Sequence, residues 1–364
     1  MNDLIAIAEQ FVSRGKVIKV RELGEGNINQ TFLVVIDRGE NKHFVLQQIN
    51  TQVFTQPELI MDNIQIFTNH VNHKLAGLSL GSNRCWQVPQ VLLTSTAKHH
   101  YLDRNNRFWR AITFIENAQS YNTIQNLEHA QEIGYGLGIF HTLISDLDVT
   151  RLADTLPGFH IAPSYLKQYH QALAKTTKKK ATEVNYCQQF IQERINFVAI
   201  LEQAKAQGIL KLSPIHGDPK VNNIMIDNQD KKAIAMVDLD TIKPGLIHYD
   251  IGDCLRSGCN TLGEETSNWE KVQFDLNLAQ AILQGYLSIA DNFITQQELE
   301  YIYEGIRLIA FELGLRFFTD YLNNDIYFKT NYAEHNLRRA LVQFQLTKSI
   351  ESQEKEIRNL IIKL

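Results

Sequence analysis

Cysteine is sparse in this sequence, and its four occurrences, Cys85, Cys187, Cys254 and Cys259, form no CxxC pair and no metal-ligand pattern. That speaks against structural zinc and, with no export signal, leads us to expect reduced thiols in a cytoplasmic protein. Long apolar runs are missing too. None approaches the ~18 residues that span a bilayer, so no membrane partner is expected. The opening MNDLIAIAEQFVSRG carries Asp3 and no extended apolar stretch, and it reads as an amphipathic helix rather than a leader. Excess positive charge is absent: the formal charge of −4 provides no field for nucleic acid. The one basic cluster, KTTKKK at Lys175 to Lys180, is short enough to be a solvated face. A Walker A loop is absent as well, because RGKV lacks both the leading glycine and the Ser/Thr.

What remains is a globular composition, 44% hydrophobic and 21% charged, in a 364-residue chain long enough for two lobes. TFLVVID (Thr31 to Asp37) and HFVLQQI (His43 to Ile49) flank the polar RGENK and predict an antiparallel hairpin. RFWRAITFI (Arg107 to Ile115) predicts another strand. Between them, PELIMDNIQIFTNHVNHKL has helical period and opens with Pro57. From Leu127 the pattern turns helical, with Ile133, Leu137, Phe140 and Ile144 on one face. Thr295 and Glu298 stand in capping-box spacing at the head of a single long helix with the stripe Ile302, Ile306, Ile309 and Leu313. Two short β runs, NIMID and AIAMVDLD, interrupt the helical part. The spacing predicts an α+β, bilobal architecture: a small antiparallel β lobe over 1–115 and a larger helical lobe over 116–364, joined near Phe114 to Asn117.

The chemistry concentrates in IHGDPKVNNIMID, where His216, Asp218, Lys220 and Asn223 follow the order H-x-D-x-K-x-x-N. Phosphoryl transfer needs a base for the acceptor hydroxyl, a cation for the γ-phosphate and oxygen ligands for magnesium. A kinase catalytic loop supplies these from one turn, with its Asn five residues after its Asp, as Asn223 follows Asp218. Asp238 in MVDLD, after an apolar β run, offers the second oxygen ligand that a hard cation prefers. The rival reading, a polar turn with accidental spacing, leaves Asp238 unexplained. Upstream, LGEGNINQTFLV is a glycine-rich turn entering a strand, with Gly24, Gly26 and Asn27 as candidate nucleotide contacts. Asn29 stands where the protein-kinase fingerprint has its third glycine. An ordinary hairpin turn explains Gly24 and Gly26 equally well.

HGDPKVNN, MVDLDT and YDIGDCLR together resemble the aminoglycoside phosphotransferase and choline kinase superfamily, a protein-kinase-like fold acting on small molecules. GNINQTFLV, FVLQQIN, RFWRAITFIENAQSY, DLDTIKPGL and GLRFFTDYLNNDIYFK resemble the N-acetylhexosamine 1-kinases within it. The resemblance implies an ATP- and Mg2+-dependent kinase phosphorylating a small-molecule acceptor, here a sugar. It makes Asp218 the catalytic base, Asn223 and Asp238 the magnesium ligands, and Phe114, Ile115 and Glu116 part of the hinge that meets adenine. Arg316 and Tyr327 become sugar or phosphate contacts. Arg316 also extends the apolar stripe by three residues, so it needs a partner on a buried face; Glu312 and Asp320, at i±4, are the bland options.

Three positions depart from these patterns. Gln47 stands near where many kinases place a phosphate-binding lysine, and Lys42 is too close to the turn to replace it. Gln30 and Gln48 stand where the hexosamine kinases carry an acid and a base, which makes both candidate acceptor contacts. Asp240 assists the metal, bonds the acceptor or braces the catalytic loop. Asp250 and Asp253 are expected to brace that loop, His216 to hold its backbone, Lys220 to reach the γ-phosphate, and His141 to be packed. A kinase for choline, homoserine or an aminoglycoside, or a pseudokinase that only binds nucleotide, is the alternative.

Overall fold

The computed structural model describes residues 2–24, 28–39, 42–77, 84–178, 181–290 and 293–364. Helix α1 (Asn2–Glu9) precedes strands β1 (Val17–Glu22), β2 (Gln30–Ile36) and β3 (His43–Gln48); helix α2 (Pro57–Leu75) leads to β4 (Val91–Leu92), β5 (Tyr101–Leu102) and β6 (Phe108–Thr113). All pairings are antiparallel, in the order β1-β2-β3-β6-β4, with β5 on β6. Strand pleating sends alternate residues to opposite faces. On one face Phe32, Val34, Phe44, Leu46, Trp109 and Ala111 bury against Ile7, Ala8 and Phe11. Each such large side chain contributes about 1.5–3 kcal/mol. On the other face Thr31, Gln47 and Arg110 lie side by side, fixed by the pairings Thr31↔Gln47 and Gln47↔Arg110.

The chain then passes β7 (Ala118–Gln119) into helices α3 (Leu127–Ile144), α4 (Ala162–Lys175), α5 (Thr182–Gln192) and α6 (Ile200–Ala206). Four short strands follow: β8 (Ser213–Ile215), β9 (Ile224–Asp227), β10 (Ala233–Met236) and β11 (Lys243–Gly245). Helices α7 (Ile247–Gly258), α8 (Leu276–Ala290), α9 (Gln296–Glu300), α10 (Ile302–Leu322), α11 (His335–Ser352) and α12 (Glu354–Lys363) complete the fold. The expected stripe Ile133, Leu137, Phe140 and Ile144 is fully buried. No helix among the described residues is long and apolar enough to cross a membrane.

The single long helix expected from Thr295 is two. Thr295 does form a capping box with Glu298, but α9 ends after five residues and Tyr301 (φ −93°, ψ 0°) turns the chain into the 21-residue α10. No glycine or proline marks that break. A second finding concerns α2, which lies among the sheet strands in sequence but packs on the helical core. Phe67 stacks on Phe140 at 5.3 Å, and Asn63 donates to the carbonyls of Ala153 and Ile242, both at 2.8 Å.

Helices α3 and α8 meet through glycines rather than side chains. A Cβ at Gly134 would collide with the Ile282 carbonyl, and one at Gly285 with the Gln131 carbonyl. Both obstacles are backbone, which yields only if the helices separate. Gly285→Ala is therefore expected to destabilise the protein by about 1–3 kcal/mol or more. A urea denaturation midpoint unchanged from wild type would contradict this close crossing.

Candidate active site

Two antiparallel ribbons, β8 with β11 and β9 with β10, carry the polar loop and Asp238 on neighbouring turns. The loop leaves β8 at His216, passes Asp218 and closes in a 3-10 turn, Val221–Asn223, before β9. Asp238 follows β10 in a left-handed conformation (φ 65°, ψ 53°). The Val237 N–H donates to the Asn223 carbonyl at 2.9 Å, which places the two expected metal ligands beside each other. Gly217 has φ 86°, and a Cβ there would strike Thr241, so only glycine fits between His216 and Asp218.

The side chains form a charged floor. Lys220 Nζ donates to Asp218 Oδ2 at 2.7 Å, and Asn223 Nδ2 donates to the Asp218 carbonyl at 2.7 Å. Burial pushes the Asp218 carboxyl up, but the charge and hydrogen bond of Lys220 outweigh it and hold it below the usual range. Asp218 is thus an anion able to accept a hydroxyl proton. Asp238 is exposed, and its carboxylate has no hydrogen-bond or ion-pair partner among the described residues. Burial, then the like charges of Asp240 and Asp218, push its carboxyl up to about 6 despite Lys220 and Arg110. A carboxylate crowded by negative neighbours is short of a cation. Asn223, with Nδ2 engaged, keeps Oδ1 as a ligand atom, so the donor set fits a magnesium ion that retains several waters. No cluster of three or more His, Cys, Asp or Glu side chains suited to a metal occurs among the described residues.

Buried polar groups hold the floor in place. Asp250 accepts from the N–H groups of His216 (2.7 Å) and Gly217 (2.8 Å) and pairs with His141 Nε2 (2.9 Å). His216 donates from Nε2 to the Val237 carbonyl at 2.9 Å and accepts the Asp218 N–H at Nδ1, 3.2 Å. That network assigns the neutral Nε2–H tautomer, consistent with burial lowering the His216 pKa. Asp253 does not brace the loop as expected. It pairs with Arg256 at 2.7 Å, because its place on α7 aims it along the helix.

His160 was not foreseen. Its ring lies between two acceptors, Glu312 Oε1 at 3.0 Å and the Gly217 carbonyl at 2.7 Å, so both nitrogens must donate and the ring is an imidazolium. Burial opposes the charge, but Glu312 and the Gly217 carbonyl outweigh it and raise the pKa. A group raised above its unfolded value of about 6.5 stabilises fully below that pH and loses the contribution as pH rises through the folded value. Urea titrations between pH 6 and pH 9 should therefore show an alkaline loss of stability that His160→Asn removes. An identical pH dependence in the variant would refute the imidazolium assignment.

The other expected site residues divide. Gly24 lies two residues beyond β1 with φ 72°, whereas Gly26 and Asn27 lie outside the described residues. At the hinge, Ile115 buries against Ile234 and Ala235, Glu116 pairs with His43 at 2.7 Å, and Phe114 packs edge-on against the His43 ring. Lys42 is exposed on the hairpin. Gln47 is buried on the sheet face that holds Arg110; its Oε1 accepts from Arg110 Nε (3.0 Å) and Nη2 (2.7 Å). Gln30 and Gln48, expected to touch the acceptor, sit one residue out of phase, and the pleat turns them to the opposite face. There they line an open cavity of about 370 Å³ with Asn50, Gln52, Asn105 and Arg107. Asp240 is also corrected as an acceptor contact. It is 2% exposed and both oxygens are taken, one by Arg110 Nη2 and the other by Asn29 Nδ2 at 2.6 Å.

Arg316 takes neither of its intrahelical options. Glu312 is held by His160, and Asp320 accepts the N–H groups of Ile326, Tyr327 and Phe328. The guanidinium instead lies 5.0–5.9 Å from the ring centres of Phe159, Tyr165, Tyr327 and Phe328. It has no carboxylate partner within salt-bridge distance among the described residues, although the fields of Glu312 and Asp218 reach it.

The overall structure is similar to an aminoglycoside phosphotransferase from Alicyclobacillus acidocaldarius subsp. acidocaldarius DSM 446, with a TM-score of 0.62 at 13% identity over 99% of this chain and 96% of that one. It is equally similar to a choline kinase from Cryptosporidium parvum Iowa II, with a TM-score of 0.62 at 14% identity over 99% and 97%. An ethanolamine kinase from Plasmodium vivax matches at a TM-score of 0.55, 14% identity, over 89% and 82%. The fold is the bilobal, protein-kinase-like one. Residues 19–291 match the phosphotransferase enzyme family, and the chain belongs to that family as a small-molecule kinase.

Proposed function

We propose that the protein transfers the γ-phosphoryl group of ATP, with magnesium, to the anomeric hydroxyl of an N-acetylhexosamine. Asp218 accepts the hydroxyl proton as the acceptor oxygen bonds to the γ-phosphorus and the bond to the ADP oxygen breaks. Asn223 and Asp238 hold magnesium, which when bound neutralises and orients the phosphates. Lys220 sits beside Asp218, ready to exchange that partner for a γ-phosphate oxygen. The sheet over 1–115 covers the nucleotide, with its adenine at the Phe114 to Asn117 hinge.

The observation that carries the acceptor reading is Arg316. A cation ringed by four aromatic faces and lacking a carboxylate partner suits a neutral, oxygen-rich ligand: hydroxyl and amide oxygens meet the guanidinium, and C–H faces meet the rings. The same charge repels the cationic head of choline or ethanolamine.

ADP release measured with N-acetylglucosamine, N-acetylgalactosamine, choline, ethanolamine and homoserine tests this, with phosphorus NMR identifying the product. Turnover of an N-acetylhexosamine to its 1-phosphate is expected. Arg316→Met should raise the sugar KM by about 10–100-fold, the loss of a charged hydrogen bond, and leave the ATP KM unchanged. Turnover confined to the amino alcohols would overturn the sugar assignment.

A further inference from the structure

Two departures from the kinase pattern, Asn29 in place of the third glycine and Gln47 in place of the lysine on β3, meet in one buried network. At its centre is Arg110 of β6, 1% exposed. Its Nε and Nη2 donate to Gln47 Oε1, and Nη2 also donates to Asp240 Oδ1. Gln47 Nε2 donates to Thr31 Oγ1 at 3.1 Å, which fixes the amide with its oxygen toward the guanidinium. Asn29 completes the set by donating to Asp240 Oδ2 and accepting the Asn50 N–H at 2.9 Å. A lysine at position 47 would be driven against Arg110, two like charges on adjacent strands with one carboxylate between them. A neutral glutamine is the side chain that tolerates an arginine there. Gln47 and Arg110 thus fit each other where a lysine at position 47 would not.

Arg110 Nη1 has no partner among the described residues. An unmet donor on a buried guanidinium is costly, and no described residue supplies an acceptor for it. The group lies beside the acidic turn, where Asp240, two residues from Asp238, holds it directly. A nucleotide whose phosphates reach Asp238 brings anionic oxygens to that place.

We propose that Arg110 is the phosphate-side cation of the nucleotide site, taking over from β6 the task a β3 lysine performs in protein-kinase-like enzymes. It binds an α- or β-phosphate oxygen through Nη1, directly or through one water, while Gln47 and Asp240 orient it. This rests on the nucleotide-dependent reading above and is independent of which acceptor is used.

The test is the dissociation constant of the protein for Mg-ADP and Mg-AMP-PNP by titration calorimetry, with cooperative melting of each variant checked first. Arg110→Met should weaken binding about 10–100-fold, the loss of a charged hydrogen bond. Arg110→Met combined with Gln47→Lys returns the cation to β3 and should recover at least about tenfold of that loss, a rescue that a purely structural arginine would not give. Should Arg110→Met fail to fold, Arg110→Lys carries the test with an expected weakening of about three- to tenfold. A folded Arg110→Met or Arg110→Lys that binds within about twofold of wild type, or a double variant no tighter than Arg110→Met, overturns the proposal. If the wild type binds neither nucleotide, the phosphotransfer reading falls and this inference with it.

Discussion

Asp218→Asn is expected to lower kcat by about 10²–10⁴-fold, the usual contribution of a positioned general base. The substitution preserves shape and the contact with Asn223, so the loop keeps its form. What it removes is the anion. In the wild type, Lys220 keeps that carboxylate charged against the cost of burial, which leaves it able to accept a proton. An amide there turns one of its ends into a donor and gives the acceptor's proton nowhere to go. Rapid-quench turnover, read beside nucleotide affinity, separates this from a binding defect: affinity should stay near wild type while the chemical step collapses. A kcat within tenfold of wild type would remove Asp218 from the role of base.

Asp250→Asn should show its main effect in stability. This fully buried carboxylate accepts two consecutive backbone N–H groups and pairs with His141. An amide can present only one oxygen, and its NH2 would face an N–H donor. Breaking one side of a buried charged network costs about 3–5 kcal/mol. A variant that melts like wild type would show that the loop does not depend on this anchor. The linkage has a definite sign as well. Although burial raises its pKa, the His141 hydrogen bond and charge and the His216 backbone N–H hold the Asp250 carboxyl below its ordinary value of about 3.9. Its contribution is therefore intact above about pH 4 and is lost as pH falls through the folded value.

How much was legible in the sequence follows from the range of each constraint. The spacing of Asp218 and Asn223 was readable because one turn of backbone must deliver both groups. Asp238 was readable because a short hairpin, β9 to β10, returns it to that turn. Pro57 and the helical period gave α2 its bounds to the residue. Pairings between distant elements were not readable. Arg110 meets Gln47 only because β6 pairs with β3, and the intervening segment contains a whole helix. His160 reaches Glu312 across 152 positions. Gln30 and Gln48 were misplaced by a single step of the pleat, the smallest error that reverses a face. Asp240 looked available because nothing local reveals that an arginine from another lobe has claimed it.

Helix α2 has a consequence for how this enzyme is governed. In protein kinases, the helix that follows β3 carries the partner of the β3 lysine, and its swing sets the active state. Here that lysine is absent, the compensating arginine answers to Asp240, and α2 is fastened to the helical core by Asn63, Phe67 and Lys74. Moving α2 here would break those contacts with the helical core.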